Sequence, residues 1–376
     1  MIYRDFNGIK ISQLAMGNMR LPTLDGDESK IDEKQVAEMF DYAIRHGVNY
    51  FDTAWVYHRG QSENVVGKLL GKYPRDSFYL ATKFPGFDRS NMERVKEIFE
   101  KQLEKCRVDH FDFYLFHNVS EGNIDGYLDE DLGIMKYLLE QKKAGRITHL
   151  GFSTHGSLET MKRFLDAYGK YMEFCQIQLN YLDYTFQNAK EKIALIKSYG
   201  LPVWVMEPVR GGQLATLGED DTAKLKALRP SESVVAWAFR FLQTLPEVTT
   251  ILSGMSNMEQ LKANIATFET EKPLDEKELS AVAEIAHGMI MKKTLSCTAC
   301  RYCTEKCPQQ LDIPSLIKLY NEHVLTGGGF IAPMAIEAIP EEKRPSACLH
   351  CHSCEKVCPQ RIKISDVMAD FVEKLK

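Results

Sequence analysis

From Gln13 to about Phe268 short apolar runs alternate with stretches in which apolar residues recur every three or four positions, the pattern of repeated strand–helix units. Eight runs read as strands: Gln13–Met16, Val48–Phe51, Phe78–Thr82, Phe111–Phe116, His149–Phe152, Phe174–Leu179, Pro202–Met206 and Val248–Leu252. In the helical stretches Val36, Met39, Phe40, Ala43 and Ile44 share one face, as do Val95, Ile98, Phe99, Leu103 and Cys106. Start and stop signals agree, with Asp32 and Ser157 ahead of helical runs and His46-Gly47 closing the first. Eight such units predict an α/β protein built on a (β/α)8 barrel of the TIM type.

Two segments fall outside the repeat. Asn7-Gly8 lies between two short runs in Tyr3–Ile11, a strong hairpin signal, and such a hairpin can plug one barrel end. Asp275–Met291 reads as a last amphipathic helix, after which cysteines dominate from Cys297. The expected division is a barrel over residues 1–291 and a small domain over 292–376, with the boundary near Lys292. In that domain Ile313, Leu316, Ile317, Tyr320 and Val324 share a helical face, and Gly327-Gly328-Gly329 reads as a turn between helices.

Composition narrows the function classes. The formal charge of -5 is spread over both signs without a basic run, which argues against nucleic acid. Met1–Leu24 lacks the pattern of a secretory leader, and nowhere do roughly 18 apolar residues follow one another. A cytoplasmic protein with no membrane contact is expected.

Eight of the ten cysteines crowd into Cys297–Cys358. Cys297, Cys300, Cys303 and Cys307 precede Pro308, and Cys348, Cys351, Cys354 and Cys358 precede Pro359; both runs follow C-x2-C-x2-C-x3-C-P. This is the bacterial ferredoxin spacing for two [4Fe-4S] clusters, in which the fourth Cys of each run ligates the cluster held by the first three of the other. Paired zinc knuckles are the alternative, but tetrahedral zinc leaves the third Cys and the Pro without a purpose. The helical stretch of about 40 residues between the runs resembles the α-helical ferredoxin domain of multi-subunit redox enzymes. His350 and His352 are expected to be exposed bystanders, and Cys106 and Cys175 small buried residues.

Chemistry in a TIM barrel gathers at the C-terminal strand ends. Asp52 is expected just beyond the second strand, Lys83 beyond the third and His117 beyond the fourth, with Tyr57 in the loop after Asp52. Asp52-Thr53-Ala54-Trp55-Val56-Tyr57, Ala81-Thr82-Lys83 and Leu115-Phe116-His117-Asn118 resemble the tetrad motifs of the aldo/keto reductase family, and the resemblance runs from about Ile2 to Met291. It implies Tyr57 as general acid, Asp52 and Lys83 as the pair that tunes it, and His117 as the group orienting a small-molecule carbonyl substrate. A neighbouring ammonium favours tyrosinate, so the Tyr57 pKa is expected below its ordinary value.

The same resemblance implies a nicotinamide cofactor, NADP or NAD. Ser153 and Gln176 match positions that hold the carboxamide, although Thr154 and His155 follow the Ser where the family has Asn; Asn180 can face the same pocket. In Glu207-Pro208-Val209-Arg210-Gly211-Gly212, backbone amides and Arg210 are candidates for the pyrophosphate. Ser253, Gly254, Ser256, Gln260 and Asn264 resemble the family's adenosine-phosphate segment. Ser256 and Gln260 stand where charge would mark NADPH, so the choice of nucleotide stays open. Trp55, Phe84 and Phe87 suggest an aromatic-lined entrance, or packing.

Three readings follow. The first is a carbonyl reductase whose cluster domain is structural or docks a ferredoxin-like or other redox protein. The second is a relay in which clusters exchange electrons with a barrel-bound substrate or a partner. The third, a barrel kept as a scaffold, is disfavoured by the complete Asp52, Tyr57, Lys83, His117 set.

Overall fold

The computed structural model describes all of Met1–Lys376. A hairpin comes first, β1 (Tyr3–Phe6) and β2 (Ile9–Ser12), turned by Asn7 and Gly8, both at positive φ as a tight hairpin turn demands. Eight parallel strands then close a barrel: β3 (Leu14–Gly17), β4 (Tyr50–Asp52), β5 (Tyr79–Phe84), β6 (Phe111–Val119), β7 (Ile147–Thr154), β8 (Phe174–Gln178), β9 (Val203–Met206) and β10 (Val248–Ser253). Pairing of β10 with β3 from Ile251↔Leu14 to Ser253↔Met16 completes the ring.

Each of the eight apolar runs forms a barrel strand, but several strands run further than the runs. β6 and β7 pair as far as Val119↔Thr154, past a register shift after Phe116, and β5 and β6 pair to Phe84↔Phe116. Asp52, Lys83 and His117 therefore lie within strand ends and not in the loops after them. Polar residues break the apolar run without breaking the ladder, because backbone pairing is indifferent to what the side chain carries into the barrel.

Inside the barrel Ala15, Tyr50, Ala81, Phe113, Leu115, Phe174, Trp204 and Leu252 pack with Phe6 and Ile11 from the hairpin. The Phe6 ring lies 4.9 Å from Trp204 and 4.9 Å from His149, so the hairpin stoppers the N-terminal end. The opposite end is left to polar side chains. Around the ring the helices pack closely: a Cβ on Gly67 would lie 2.3 Å from the Cys106 carbonyl oxygen, so only glycine lets helix Ser62–Leu70 approach helix Val95–Cys106.

The chain divides into two compact units, Met1–Val282 and Ala283–Lys376, at a point within helix Glu276–Lys293. The second unit is mainly helical, with helices Ile313–Thr326, Ile331–Glu337 and Ile364–Lys374. Gly327, at φ 70°, ends the first of these, as the glycine run suggested. Leu311, Ile313, Leu316, Ile317, Ile336, Ile362, Ile364, Met368 and Phe371 form its core. The buried face of helix Ile313–Thr326 ends on Leu325, with Val324 only partly covered.

Phe6→Ala should lower the unfolding free energy by about 3 kcal/mol, the cost of a large cavity at the barrel floor. Urea titration followed by tryptophan fluorescence reads this directly, because Trp55, Trp204 and Trp237 all belong to the first unit. A loss below about 1 kcal/mol would mean that the hairpin is not holding the barrel closed.

Candidate active site

At the C-terminal end of the barrel Lys83 is 0% exposed, and its ammonium donates to Asp52 Oδ1 at 2.6 Å and to the Thr53 carbonyl at 2.8 Å. Tyr57 starts a short turn, Tyr57–Gly60, that brings its ring to 5.0 Å from the Lys83 Nζ. The His117 ring stands perpendicular to that of Tyr57, with centroids 6.1 Å apart, and touches Phe87 edge-on at 5.1 Å. The structure thus brings Asp52, Tyr57, Lys83 and His117 together.

Burial and charge act on these groups in opposite directions. Burial pulls the Lys83 pKa down, but Asp52 and Tyr57 together outweigh it and leave the ammonium more firmly protonated than usual. Burial raises the Asp52 carboxyl while Lys83 opposes the rise. Burial also lifts the Tyr57 hydroxyl above the ordinary phenol range, although Lys83 pulls it back. The expected depression of Tyr57 is therefore not found: losing water costs tyrosinate more than one ammonium returns, and Asp52 and Glu207 add negative charge nearby. His117 is held well below its usual pKa by burial, then by Lys83 and His155, and so stays neutral; its Nδ1 is buried without a hydrogen-bond partner.

Behind Lys83 lies a buried polar network that the apolar pattern concealed. Gln102 donates to the Lys83 carbonyl at 3.0 Å and to Glu63 at 2.7 Å, and accepts from the Tyr114 hydroxyl at 2.6 Å. Glu63 also accepts from Thr82 and Lys105, both at 2.7 Å, and Lys105 stands over the Trp55 ring at 4.5 Å. Gln102 occupies the buried stripe of Val95, Ile98, Phe99, Leu103 and Cys106, and a polar residue in such a stripe is the signal that could have revealed it. Phe84 is core, packed on Tyr127, and does not line the entrance.

The remaining candidates surround the same end. Ser153 Oγ accepts the Asn118 N–H at 2.9 Å, fixing the backbone beside His117. Gln176 donates to the Met206 sulfur at 3.6 Å, while its Oε1 is buried without a partner. Thr154 turns away to the Val119 carbonyl at 2.6 Å, and His155, its pKa lowered to about 3 by burial and then by Lys192, is neutral. Asn180 is a loop staple, donating to Asp183 at 2.7 Å and to the Glu207 carbonyl at 2.9 Å.

In the loop after β9, Glu207, Arg210, Gly211 and Gly212 all have positive φ. Pro208 is buried within it, and the Arg210 side chain lies beneath it, its Nε 3.0 Å from Asp183 Oδ1. After β10, Asn257 caps helix Met258–Thr267, Gln260 accepts the Ser256 N–H at 2.8 Å, and Asn264 donates to Ser253 at 3.2 Å. Arg20, missed in the sequence, crosses these loops: its stem packs on Gly254 and its guanidinium lies 3.6 Å from Glu207. A lone cation four residues after the first strand's last apolar position was the available signal.

In the second unit Cys297, Cys300, Cys303 and Cys358 line one hollow with Pro314, Ile317 and Ile362. Cys307, Cys348, Cys351 and Cys354 line another with Pro308, Leu311 and Met368. No three Cys, His, Asp or Glu side chains converge as ligands of a single ion. Each hollow instead takes three cysteines from one run and the last from the other. Residues on either side of the second cysteine are left-handed in both runs, Ala299 and Arg301 in one, His350 and His352 in the other. His350 and His352 are exposed and line neither hollow. Cys106 and Cys175 are buried, and burial pushes both thiols well up.

A closed parallel barrel with a buried Lys–Asp pair beside Tyr and His at its C-terminal end defines a TIM barrel with a polar site at the mouth. The chain belongs to the aldo/keto reductase family, whose model matches residues 13–287, and a 4Fe-4S dicluster domain matches residues 296–362. It is 26% identical over 301 residues to the L-galactose dehydrogenase of Arabidopsis thaliana, covering 74% of this chain and 91% of that protein. The NADH-specific methylglyoxal reductase of Escherichia coli is 23% identical, over 75% of this chain and 96% of its own. Among solved structures, the holo form of the aldo-keto reductase AKR11C1 from Bacillus halodurans superposes with a TM-score of 0.62 at 26% identity, covering 76% of this chain and 96% of the other.

Gln102→Ala strips partners from Glu63, Tyr114 and the Lys83 carbonyl and should cost about 2 to 4 kcal/mol in denaturant unfolding; a change within about 0.5 kcal/mol would show that the network is idle. Because the folded pKa of His155 lies below its unfolded value of about 6.5, the stability from keeping it neutral is present above that pH and lost as pH falls toward 3. His155→Gln should flatten the decline in barrel stability between about pH 6.5 and pH 5, and an unchanged slope would refute the assignment.

Proposed function

We propose that the barrel reduces a small-molecule carbonyl compound with NADH or NADPH, and that the C-terminal unit carries two [4Fe-4S] clusters. The observation that carries the reading is the fully buried, doubly hydrogen-bonded Lys83 ammonium beside Tyr57 and His117.

The residues present fit both groups. Gln176 Oε1, buried and unpartnered, offers an acceptor for the carboxamide beside Ser153. The loop Glu207–Gly212, together with Ser253, Gly254, Ser256, Gln260 and Asn264 around helix Met258–Thr267, would hold the phosphates and adenosine. The two four-cysteine hollows would hold the clusters. When bound, the nicotinamide supplies hydride and the clusters pass single electrons.

The chain's own work is orientation and proton transfer. His117, kept neutral, directs a ring N–H toward the carbonyl oxygen. Tyr57 delivers its proton to the alkoxide that forms, and the tyrosinate left behind is stabilised by Lys83. Asp52 holds Lys83 charged and in place.

A second reading, an electron relay to a ferredoxin-like partner, is favoured by the exposure of Cys300 and Cys351, which brings one edge of each hollow to solvent. Tyr57→Phe should lower kcat/KM on a panel of aldehydes by about 100-fold or more while iron content stays near the wild-type level; retained activity would defeat the reductase reading. Mixing NADPH or NADH with the anaerobic protein while following cluster absorbance separates the two readings. Unchanged clusters during steady carbonyl reduction support the reductase, and bleaching supports the relay.

A further inference from the structure

We propose that Arg20 is a clasp for the cofactor's pyrophosphate, exchanging its contact with Glu207 for phosphate oxygens when nucleotide binds. This rests on the nucleotide reading above and adds a residue and an exchange of partners to it.

The backbone of Arg20 is held from both sides. Its carbonyl accepts from Ser256 Oγ at 2.9 Å, and the next amide, that of Leu21, donates to His58 Nε2 at 3.0 Å. His58 is itself fixed, with Nδ1 3.0 Å from the Glu28 carbonyl, and it follows Tyr57 directly in sequence. The anchor point of Arg20 is thus tied both to the loop after β10 and to the turn that carries the proposed general acid.

The side chain crosses from one phosphate loop to the other. Its Cβ, Cγ and Cδ lie 3.1 to 3.2 Å from where a Gly254 Cβ would be, and its Nη2 lies 3.4 Å from where a Gly211 Cβ would be. A Cβ at Gly254 would require the arm to give by a few tenths of an ångström. Phosphate sites in this barrel type form from the loops after the seventh and eighth strands and a following helix N-terminus, which here are the two loops Arg20 spans.

Two guanidiniums lie by these loops, and they differ in freedom. Arg210 has a side chain 3% exposed and is locked to Asp183 at 3.0 Å. Arg20 is 47% exposed and pairs with Glu207 only at 3.6 Å, the geometry of a weak surface pair. A pyrophosphate offers denser charge and paired oxygens that match the guanidinium fork, so it outcompetes a single distant carboxylate. Glu207 acts as the competitor and also repels the incoming anion.

The test is nucleotide affinity, measured by tryptophan quenching for NADPH and NADH on the full protein at several salt concentrations. Arg20→Ala should raise Kd by about ten- to a hundredfold and flatten its salt dependence, and Arg20→Lys should fall between the two. Glu207→Gln should lower Kd by about two- to tenfold. A Kd for Arg20→Ala within about twofold of wild type, with the same thermal midpoint, would overturn the clasp; weaker binding by Glu207→Gln would overturn the exchange. Failure of the unaltered protein to bind either nucleotide would defeat the underlying cofactor reading and the clasp with it.

Discussion

A positive charge without access to water survives only if negative charge and hydrogen-bond acceptors are built around it, and Lys83 is such a charge. Its partners come from β4 and the residue after it, held by the β4–β5 register through Asp52↔Ala81. From behind, helices Ser62–Leu70 and Val95–Cys106 brace β5, the strand that carries Lys83, through Glu63 and Gln102, and Gly67 permits the close approach of those helices. The site is therefore a product of barrel closure: loosening the register would separate the pair and leave two buried ions without compensation.

That pair also sets the character of the surrounding mouth. Burial first and the Lys83 charge second keep His117 neutral, and burial likewise lowers the pKa of His155 and His58. A neutral donor and a phenol facing one fixed ammonium suit stabilisation of an anion that appears during reaction, because the charge is in place before the reaction begins.

How much of this was legible follows from what pattern can encode. The alternation of apolar runs and helical stripes exposed all eight strands, and cap residues Asp32 and Ser157 marked helix starts that the side chains confirm by accepting from Gln35 and Thr160 amides. The cysteine spacing anticipated the shared composition of the two hollows, since a fixed spacing constrains which thiols can meet. Hidden were the features that depend on distance across the fold. Gln102 and Arg20 drew no notice as sequence because their partners lie far along the chain, and Arg210, a candidate for the pyrophosphate, has its side chain engaged with Asp183. The direction of the Tyr57 shift was misjudged because a sequence displays the neighbouring charge but not the lost water.

The second unit carries a repeat in its backbone. Shifting by 51 residues takes Cys297 to Cys348, Ala299 to His350, Arg301 to His352 and the left-handed Gln310 to the left-handed Arg361. The two halves share these left-handed positions, yet each lends its last cysteine to the other's hollow. Neither half can complete a four-thiol enclosure alone, so the halves are interlocked like two hands each holding the other's wrist. Damage to one run is therefore felt in both hollows, and whatever fills them would also join the beginning of the segment to its end.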